Sequence, residues 1–218
     1  MFPVPVRLQL FGCDQERQMT EEQKPYDVSK LTSQHAADVG RITIFWNGLH
    51  DALGELFAEV VSPRGPRGRE IALAAWQAVP NDQSKRLMLK AVCVAALGTD
   101  SEFIKEVTWA IDQINPLEDK RNNAVHSPYA VTLEGGELRI VPSMSSGSKR
   151  ARKLHGKDLE AELTSYAEHI AGLTWFVFML LNKSQLKTGD SSWPQRPPLR
   201  RTAQATDRKS RSPQTAPR

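Results

Sequence analysis

The residues best suited to chemistry lie between Glu118 and Tyr129, where Arg121, Asn122 and His126 stand close together. A histidine titrates near neutral pH, so it can remove a proton from one group and donate a proton to another. An arginine fork can hold a phosphate and stabilise the charge that develops on it in a transition state. RNA supplies its own nucleophile, the 2′-OH, so this pair of residue types suits RNA cleavage that needs no metal. The products would be a 5′-OH and a 2′,3′-cyclic phosphate or its hydrolysed form.

Helix geometry constrains how these three side chains cooperate. Asn122 and His126 are four positions apart and share one helix face, so Asn122 can hydrogen-bond the imidazole and fix its orientation. Arg121 points about 100° away from Asn122. Arg121 and His126 therefore converge only if the helix unwinds at Ser127, before Pro128, or if a second chain contributes. We expect a partner chain to complete the site.

A plainer interpretation of the same stretch stays open. Arg121 can form an ion pair with Glu118, three positions earlier, and His126 can simply help to end a helix. Glu118 and Asp119 do not have the spacing of a hydrolytic carboxylate pair. They suit the negatively charged first turn of a helix.

The elements that must position this stretch are helical. Apolar residues recur at spacings of three and four along most of the chain, which predicts amphipathic helices. Pro116 predicts a break and a new start just before Arg121, with Asn115 as the N-cap, and Pro128 predicts the end. The predicted helices cover about 33–61, 70–78, 83–97, 101–114, 116–126 and 157–182.

A β-hairpin and a basic segment are expected after the candidate site. Two short alternating runs flank Gly135 and Gly136, which predicts a hairpin over 129–141. A loop over 143–153 follows, and its basic residues are candidates for RNA binding, with a merely exposed loop as the alternative. These residues are Lys149, Arg150, Arg152 and Lys153.

The ends of the chain differ from its middle. We expect a mostly irregular arm over 1–33, a helical domain over 34–184 and a disordered basic tail over 185–218. The net charge of +4 comes from the end: residues from Lys183 onward carry +7, and the rest carries −3. The last helix is apolar on all sides over 175–181, which predicts a central position in a bundle or a subunit interface.

Composition narrows the class of protein. No apolar run is long enough to span a membrane, so no membrane partner is expected. Cys13 and Cys93 make neither a metal-binding motif nor a disulfide framework, and the cytoplasm is the default compartment. No metal-ligand spacing is visible, and we expect no cofactor.

The segment Arg121-Asn122-Asn123-Ala124-Val125-His126 resembles the signature of the HEPN superfamily, an arginine followed by a polar residue, with a histidine a few positions on. The resemblance covers about 35–182. It implies an all-α bundle of four or five helices that forms a homodimer and brings two copies of the motif into one cleft. It also implies metal-independent endoribonuclease activity, in a toxin–antitoxin, defence or RNA-processing system, with an antitoxin or regulatory protein as a further partner. Arg121 and His126 would be the catalytic pair and Asn122 the supporting polar residue.

Two features qualify this resemblance. The hairpin and the basic tail lie outside the minimal HEPN pattern. Some members of the superfamily lack activity and serve as binding modules. A non-catalytic dimeric interaction or regulatory module is therefore the alternative function.

Overall fold

The computed structural model describes residues 27–62, 66–145, 147–186 and 192–198. These residues form six helices and one antiparallel hairpin, which confirms the predicted all-α bundle with a small hairpin. The elements are α1 (Val28–Val61), α2 (Pro66–Ala78), α3 (Asp82–Leu97), α4 (Glu102–His126), β1 (Tyr129–Glu134), β2 (Glu137–Pro142), α5 (Lys149–Leu154) and α6 (Leu159–Leu186). None of these helices is long and apolar enough to cross a membrane.

The long helix α1 is the centre of the bundle. It packs most extensively against α6 and also contacts α2, α3 and α4. Ile42, Leu49 and Leu56 recur every seven positions along it and are fully buried, so the predicted apolar stripe is confirmed. The helix begins at Val28, before the predicted start, because the Asp27 carboxylate caps it by accepting a hydrogen bond from the Lys30 N–H at 2.9 Å.

Gly54 allows α1 and α2 to approach each other closely. A Cβ atom at this position would lie 2.8 Å from Nε1 of the buried Trp76 indole, nearer than real Cβ contacts come. Gly48, on the same helix, has nothing within 4 Å of the equivalent point. The two glycines therefore have different roles, and only Gly54 is required for packing.

Gly54→Ala should lower the free energy of unfolding by about 1–3 kcal/mol, because the Trp76 ring has no room to move. Gly48→Ala is the matched control and should raise it by up to about 1 kcal/mol through helix propensity. Chemical denaturation followed by circular dichroism measures both changes. Equal effects of the two substitutions would contradict this account of Gly54.

The predicted break at Pro116 is wrong, since α4 runs without interruption from Glu102 to His126. Ile114 and Leu117, on either side of the proline, are buried in the core, and this packing offsets the loss of one backbone hydrogen bond. Asn115 does not act as an N-cap, because its side-chain oxygen accepts a hydrogen bond from Arg86 Nε at 3.0 Å.

The basic segment after the hairpin contains a short helix where a loop was predicted. The Ser148 hydroxyl caps α5 by accepting a hydrogen bond from the Ala151 N–H at 3.3 Å. Ala151 and Leu154, three positions apart, are buried against the body of the protein. The predicted hairpin is confirmed, and in it Glu134 lies opposite Glu137 across the two glycines.

Two parts of the segment predicted as a disordered tail are among the described residues. Helix α6 continues to Leu186, and residues 192–198 pack against α4 and α6, with Trp193 half-buried against the core. Its remaining parts, 187–191 and 199–218, lie outside the described residues, as does 1–26 of the predicted arm. Composition alone could not reveal the contacts that hold 192–198.

Candidate active site

The motif lies on the last two turns of α4, as its sequence predicts. The Ser127 N–H donates to the Asn123 carbonyl at 3.2 Å and closes the helix. Ser127 itself is extended, with φ −74° and ψ 140°, because the following Pro128 disfavours the helical region. His126 is exposed at this helix end, so solvent and a substrate can reach its imidazole.

Asn122 holds Arg121 and not His126. The Nη1 group of Arg121 donates to Asn122 Oδ1 at 2.8 Å. The expected hydrogen bond from Asn122 to the imidazole is not present among the described residues. The alternative ion pair of Arg121 with Glu118 is also not formed, since Glu118 binds Arg86. The direct effect of Asn122 is therefore on the orientation of the guanidinium.

The start of the hairpin is fastened to the end of α4. The Tyr129 hydroxyl donates to the Ala124 carbonyl at 2.7 Å. Burial raises the pKa of Tyr129 to about 12, so the phenol remains a donor at neutral pH. The ring of His35, on α1, meets the Tyr129 ring edge-on at a centroid distance of 4.3 Å. Three elements, α1, α4 and β1, therefore meet beside His126.

Buried polar atoms without a hydrogen-bond partner are concentrated on these three elements. Within the described residues, four of the six such atoms are His35 Nε2, Arg121 Nε, Ser127 Oγ and Thr132 Oγ1. Buried polar atoms in proteins are normally hydrogen-bonded. These four atoms lack a protein partner close to the motif, and because they are buried they are not themselves exposed to a ligand.

Lys120, next to Arg121 in sequence, points about 100° away from it on α4 and contacts α6. Its Nζ lies 5.3 Å from the centroid of the Tyr166 ring on α6, and burial lowers the pKa of Lys120. The Glu162 carboxylate sits beside it and pairs with Lys157 at 3.0 Å. Burial alone would raise the pKa of Glu162, but Tyr166 and Lys157 outweigh burial and lower it. This cluster joins α4 to α6 and leaves Arg121 as the cation at the motif.

A buried polar network behind the motif was not predicted from the sequence. Arg86, on α3, is 1% exposed, and all three of its nitrogens have partners. Its Nε donates to Asn115, its Nη1 lies 3.1 Å from His50 Nε2, and its Nη2 pairs with Glu118. Because an arginine can only donate, His50 Nε2 must accept. The proton of His50 therefore sits on Nδ1, which lies 3.1 Å from the Trp46 carbonyl.

His50 and His169 are both buried in the core. Burial is the main cause that lowers the pKa of His50, and Asp82, 3.8 Å from Nε2, opposes it only in part. The neutral imidazole is the form that accepts from Arg86. His50 therefore completes the network and is enclosed away from any substrate.

The free energy of unfolding should fall as the pH drops from about 7 to about 5.5. The lowered pKa of His50 means that the unfolded chain binds a proton near the usual histidine pKa of 6.5 while the folded chain does not. The stability is thus fully present above that value and declines below it. Denaturation at both pH values measures how strongly the free energy of unfolding depends on pH, and His50→Gln should weaken that dependence. His155→Gln, the same substitution at an exposed position, is the matched control.

The four predicted RNA-binding residues lie on α5, which packs against α4 and β2. Lys149, Arg150, Arg152 and Lys153 are all exposed. Arg152 also donates to the Gly147 carbonyl at 3.3 Å. The structure thus places an exposed basic surface on an element that contacts the motif helix.

No known protein family, curated protein or solved structure matches this chain significantly. Within the described residues, no three His, Cys, Asp or Glu side chains come close enough together to hold a metal ion. The assignment of a function therefore depends on the chemistry of the site.

Proposed function

We propose that this protein is a metal-independent endoribonuclease of the HEPN type, acting in the cytoplasm as a homodimer. The observation that carries the proposal is the pair at the end of α4, an exposed His126 and an Arg121 guanidinium held by Asn122. The exposed basic face of α5, which packs against α4, supports it. An antitoxin or regulatory protein is the expected further partner, and no cofactor takes part.

In the proposed reaction, His126 removes the proton from a 2′-OH of the RNA. The 2′-oxygen forms a bond to the adjacent phosphorus, and the bond from phosphorus to the 5′-oxygen breaks. The protonated imidazole of His126 then gives a proton to the leaving 5′-oxygen, directly or through water, so a 5′-OH and a 2′,3′-cyclic phosphate result and the imidazole is neutral again. Arg121 holds the phosphate and stabilises the negative charge that develops on its oxygens.

A second copy of the chain completes the proposed site. Arg121 and His126 are five positions apart on a regular helix that continues to His126, so they do not share one helix face. The helix does not unwind between them, and this regularity supports convergence across a dimer as the route to one cleft.

Purified full-length protein with end-labelled RNA in EDTA tests the proposal. We expect cleavage that gives 5′-OH and 2′,3′-cyclic phosphate ends. A matched RNA with a 2′-deoxy nucleotide at the cleavage position should resist cutting there, because it lacks the nucleophile. No cleavage of the first RNA, or equal cleavage of both, would contradict the proposal.

A second candidate function, a non-catalytic dimeric interaction module, has its own observation. On α6, Trp175 is 68% exposed, Phe178 42% and Met179 36%, and their spacing places them on one side of the helix. Large apolar side chains grouped in this way are typical of protein-binding surfaces. In this function, residues 121 and 126 need not meet.

The distance between the two copies of residue 126 in a dimer separates these functions. Spin labels on a chain with His126→Cys and Cys13→Ser measure it. The remaining native cysteine, Cys93, is buried, and burial raises the pKa of its thiol to about 12, so it should not be labelled. A short distance between the two labels supports the endoribonuclease function. A dimer that Trp175→Lys dissociates, with its two residues 126 far apart, supports the interaction module.

A further inference from the structure

The segment 192–198, here called the strap, lies in a groove between α4 and α6. Arg196 makes a two-pronged ion pair with Glu106 on α4, with Nε to Oε2 at 2.9 Å and Nη2 to Oε1 at 3.0 Å. The Glu106 side chain is only 13% exposed. A paired fork of this kind fixes direction as well as position, so the strap is docked in one orientation.

Aromatic contacts add to this ion pair. The Arg196 guanidinium lies 5.0 Å from the centroid of the Trp109 ring, and Trp193 packs against Phe103 at a centroid distance of 6.4 Å. On α6, Lys183 donates to the Ser192 carbonyl at 2.6 Å and lies 5.3 Å from the Trp193 ring. The groove therefore contacts the tryptophan and arginine side chains of the strap and a carbonyl of the strap's backbone.

The floor of the groove is a glycine. A Cβ atom on Gly172 would lie 3.4 Å from Pro197 Cβ and would meet no other residue within 4 Å. The strap thus lies directly over Gly172, and Pro197 occupies the space that a side chain at this position would enter.

Proline pre-organises the strap for this binding. Pro194, Pro197 and Pro198 each fix one backbone angle, and the residues before prolines are confined to extended conformations. Pro194 and Pro197, three positions apart, are half-buried, whereas Gln195 and Pro198 are exposed. That alternation matches the three-residue turn of a polyproline II helix, the conformation in which proline-rich peptides bind aromatic grooves.

We propose that the groove formed by Phe103, Glu106, Trp109, Gly172 and Lys183 is a docking site for a proline-rich peptide with a tryptophan and an arginine. The strap is its ligand in cis, and an equivalent segment of a second protein can replace it. The groove contacts one short segment, and the prolines of that segment set its conformation. The segment therefore does not have to be covalently joined to α6 in order to bind. This inference does not depend on RNA cleavage.

A labelled peptide with the sequence of residues 191–199 tests the proposal by fluorescence anisotropy on full-length chains. In the wild-type chain the strap is joined to α6 by a short linker, so it competes with the added peptide at an effective concentration of roughly millimolar. The peptide should therefore bind a chain with Trp193→Ala and Arg196→Ala at least about tenfold more tightly than wild type. A chain with Arg196→Glu alone, which changes an exposed side chain, is the second route to an open groove and should also gain affinity.

Two further substitutions, made in the chain with Trp193→Ala and Arg196→Ala, identify the groove. Gly172→Leu should abolish peptide binding, and it should not disturb the helix, because leucine is a better helix former than glycine. Glu106→Arg should abolish binding of the same peptide and restore binding of a peptide with Arg196→Glu. Glu160→Arg, at an exposed position outside the groove, is the control and should change nothing.

The proposal is overturned if the peptide binds neither opened chain, or binds both no better than wild type. It is also overturned if Gly172→Leu leaves the affinity for the peptide unchanged. The same holds if Glu106→Arg neither weakens binding of the original peptide nor restores binding of the peptide with Arg196→Glu. Circular dichroism on every chain shows whether the helices are kept, and a chain that loses them is replaced by the Arg196→Glu chain for the comparison.

Discussion

Glu118→Ala is expected to lower the free energy of unfolding by about 3 kcal/mol, because it leaves the Arg86 guanidinium buried without its anion. Arg86 is 1% exposed, and the carboxylate of Glu118 is the charge that pairs with it. Asn115 and His50 remain as neutral acceptors but cannot balance a full charge. Removing one partner of a buried pair is far more costly than removing both.

The double substitution Arg86→Met with Glu118→Ala gives the sharper test. It removes the buried charge together with its partner, so it should recover more than half of the stability that Glu118→Ala loses. Glu137→Ala is the matched control, because Glu137 and Arg139 form an exposed ion pair on the hairpin, and its effect should stay within about 0.5 kcal/mol. A Glu118→Ala chain as stable as Glu137→Ala would show that Arg86 does not need its anion.

This network also concerns the candidate site. Glu118 lies three positions before Arg121 and four before Asn122 on α4. Its bond to Arg86, together with the bond from Asn115 to Arg86, ties α4 to α3 one turn ahead of the motif. The rotation of α4 about its own axis, and hence the direction in which Arg121 and His126 point, is therefore fixed from the core.

The helices and the hairpin could be predicted because their signals are local. The spacing of Ile42, Leu49 and Leu56 defines the buried side of α1 without any knowledge of its partners. Gly135 and Gly136 both have positive φ, 62° and 84°, and two such residues between alternating runs are sufficient to predict a tight turn.

Contacts between distant residues could not be predicted. Arg86 sits in the polar run Asp82-Gln83-Ser84-Lys85-Arg86, which has the composition of an exposed helix surface, and its burial depends on residues 29 and 32 positions later. The strap has the composition of a disordered tail, and its arginine becomes a docking residue through Glu106, 90 positions earlier, and Trp109. In both cases tertiary packing overrides local composition.

For the candidate site, the sequence predicted where the motif lies on its helix but not which hydrogen bonds its side chains form. The helix end at His126 follows from Pro128, which acts on the residue before it. Whether Asn122 hydrogen-bonds Arg121 or His126 depends on side-chain rotamers, which spacing does not determine.

Asn122 is accordingly expected to act on phosphate binding through Arg121, and Asn122→Asp, which keeps the acceptor, should retain more activity than Asn122→Ala.

His126→Ala is expected to lower the rate of RNA cleavage by about 10²–10⁴-fold, the usual contribution of a general acid–base residue. His126 is exposed, so the substitution should leave the free energy of unfolding within about 0.5 kcal/mol of wild type. The equally exposed His155 supplies the control, and His155→Ala should cleave at the wild-type rate. Equal loss or equal retention of activity in both chains would remove His126 from the mechanism.

Mixing two inactive chains then decides whether the site is shared between copies. If Arg121 of one chain acts with His126 of its partner, a dimer of an Arg121→Ala chain with a His126→Ala chain contains one intact pair. Random exchange makes half of the dimers mixed, so activity should return to about a quarter of wild type. If each chain instead supplies both residues of its own site, no intact pair forms and the mixture stays inactive. Because α4 is regular from Arg121 to His126, we expect activity to return.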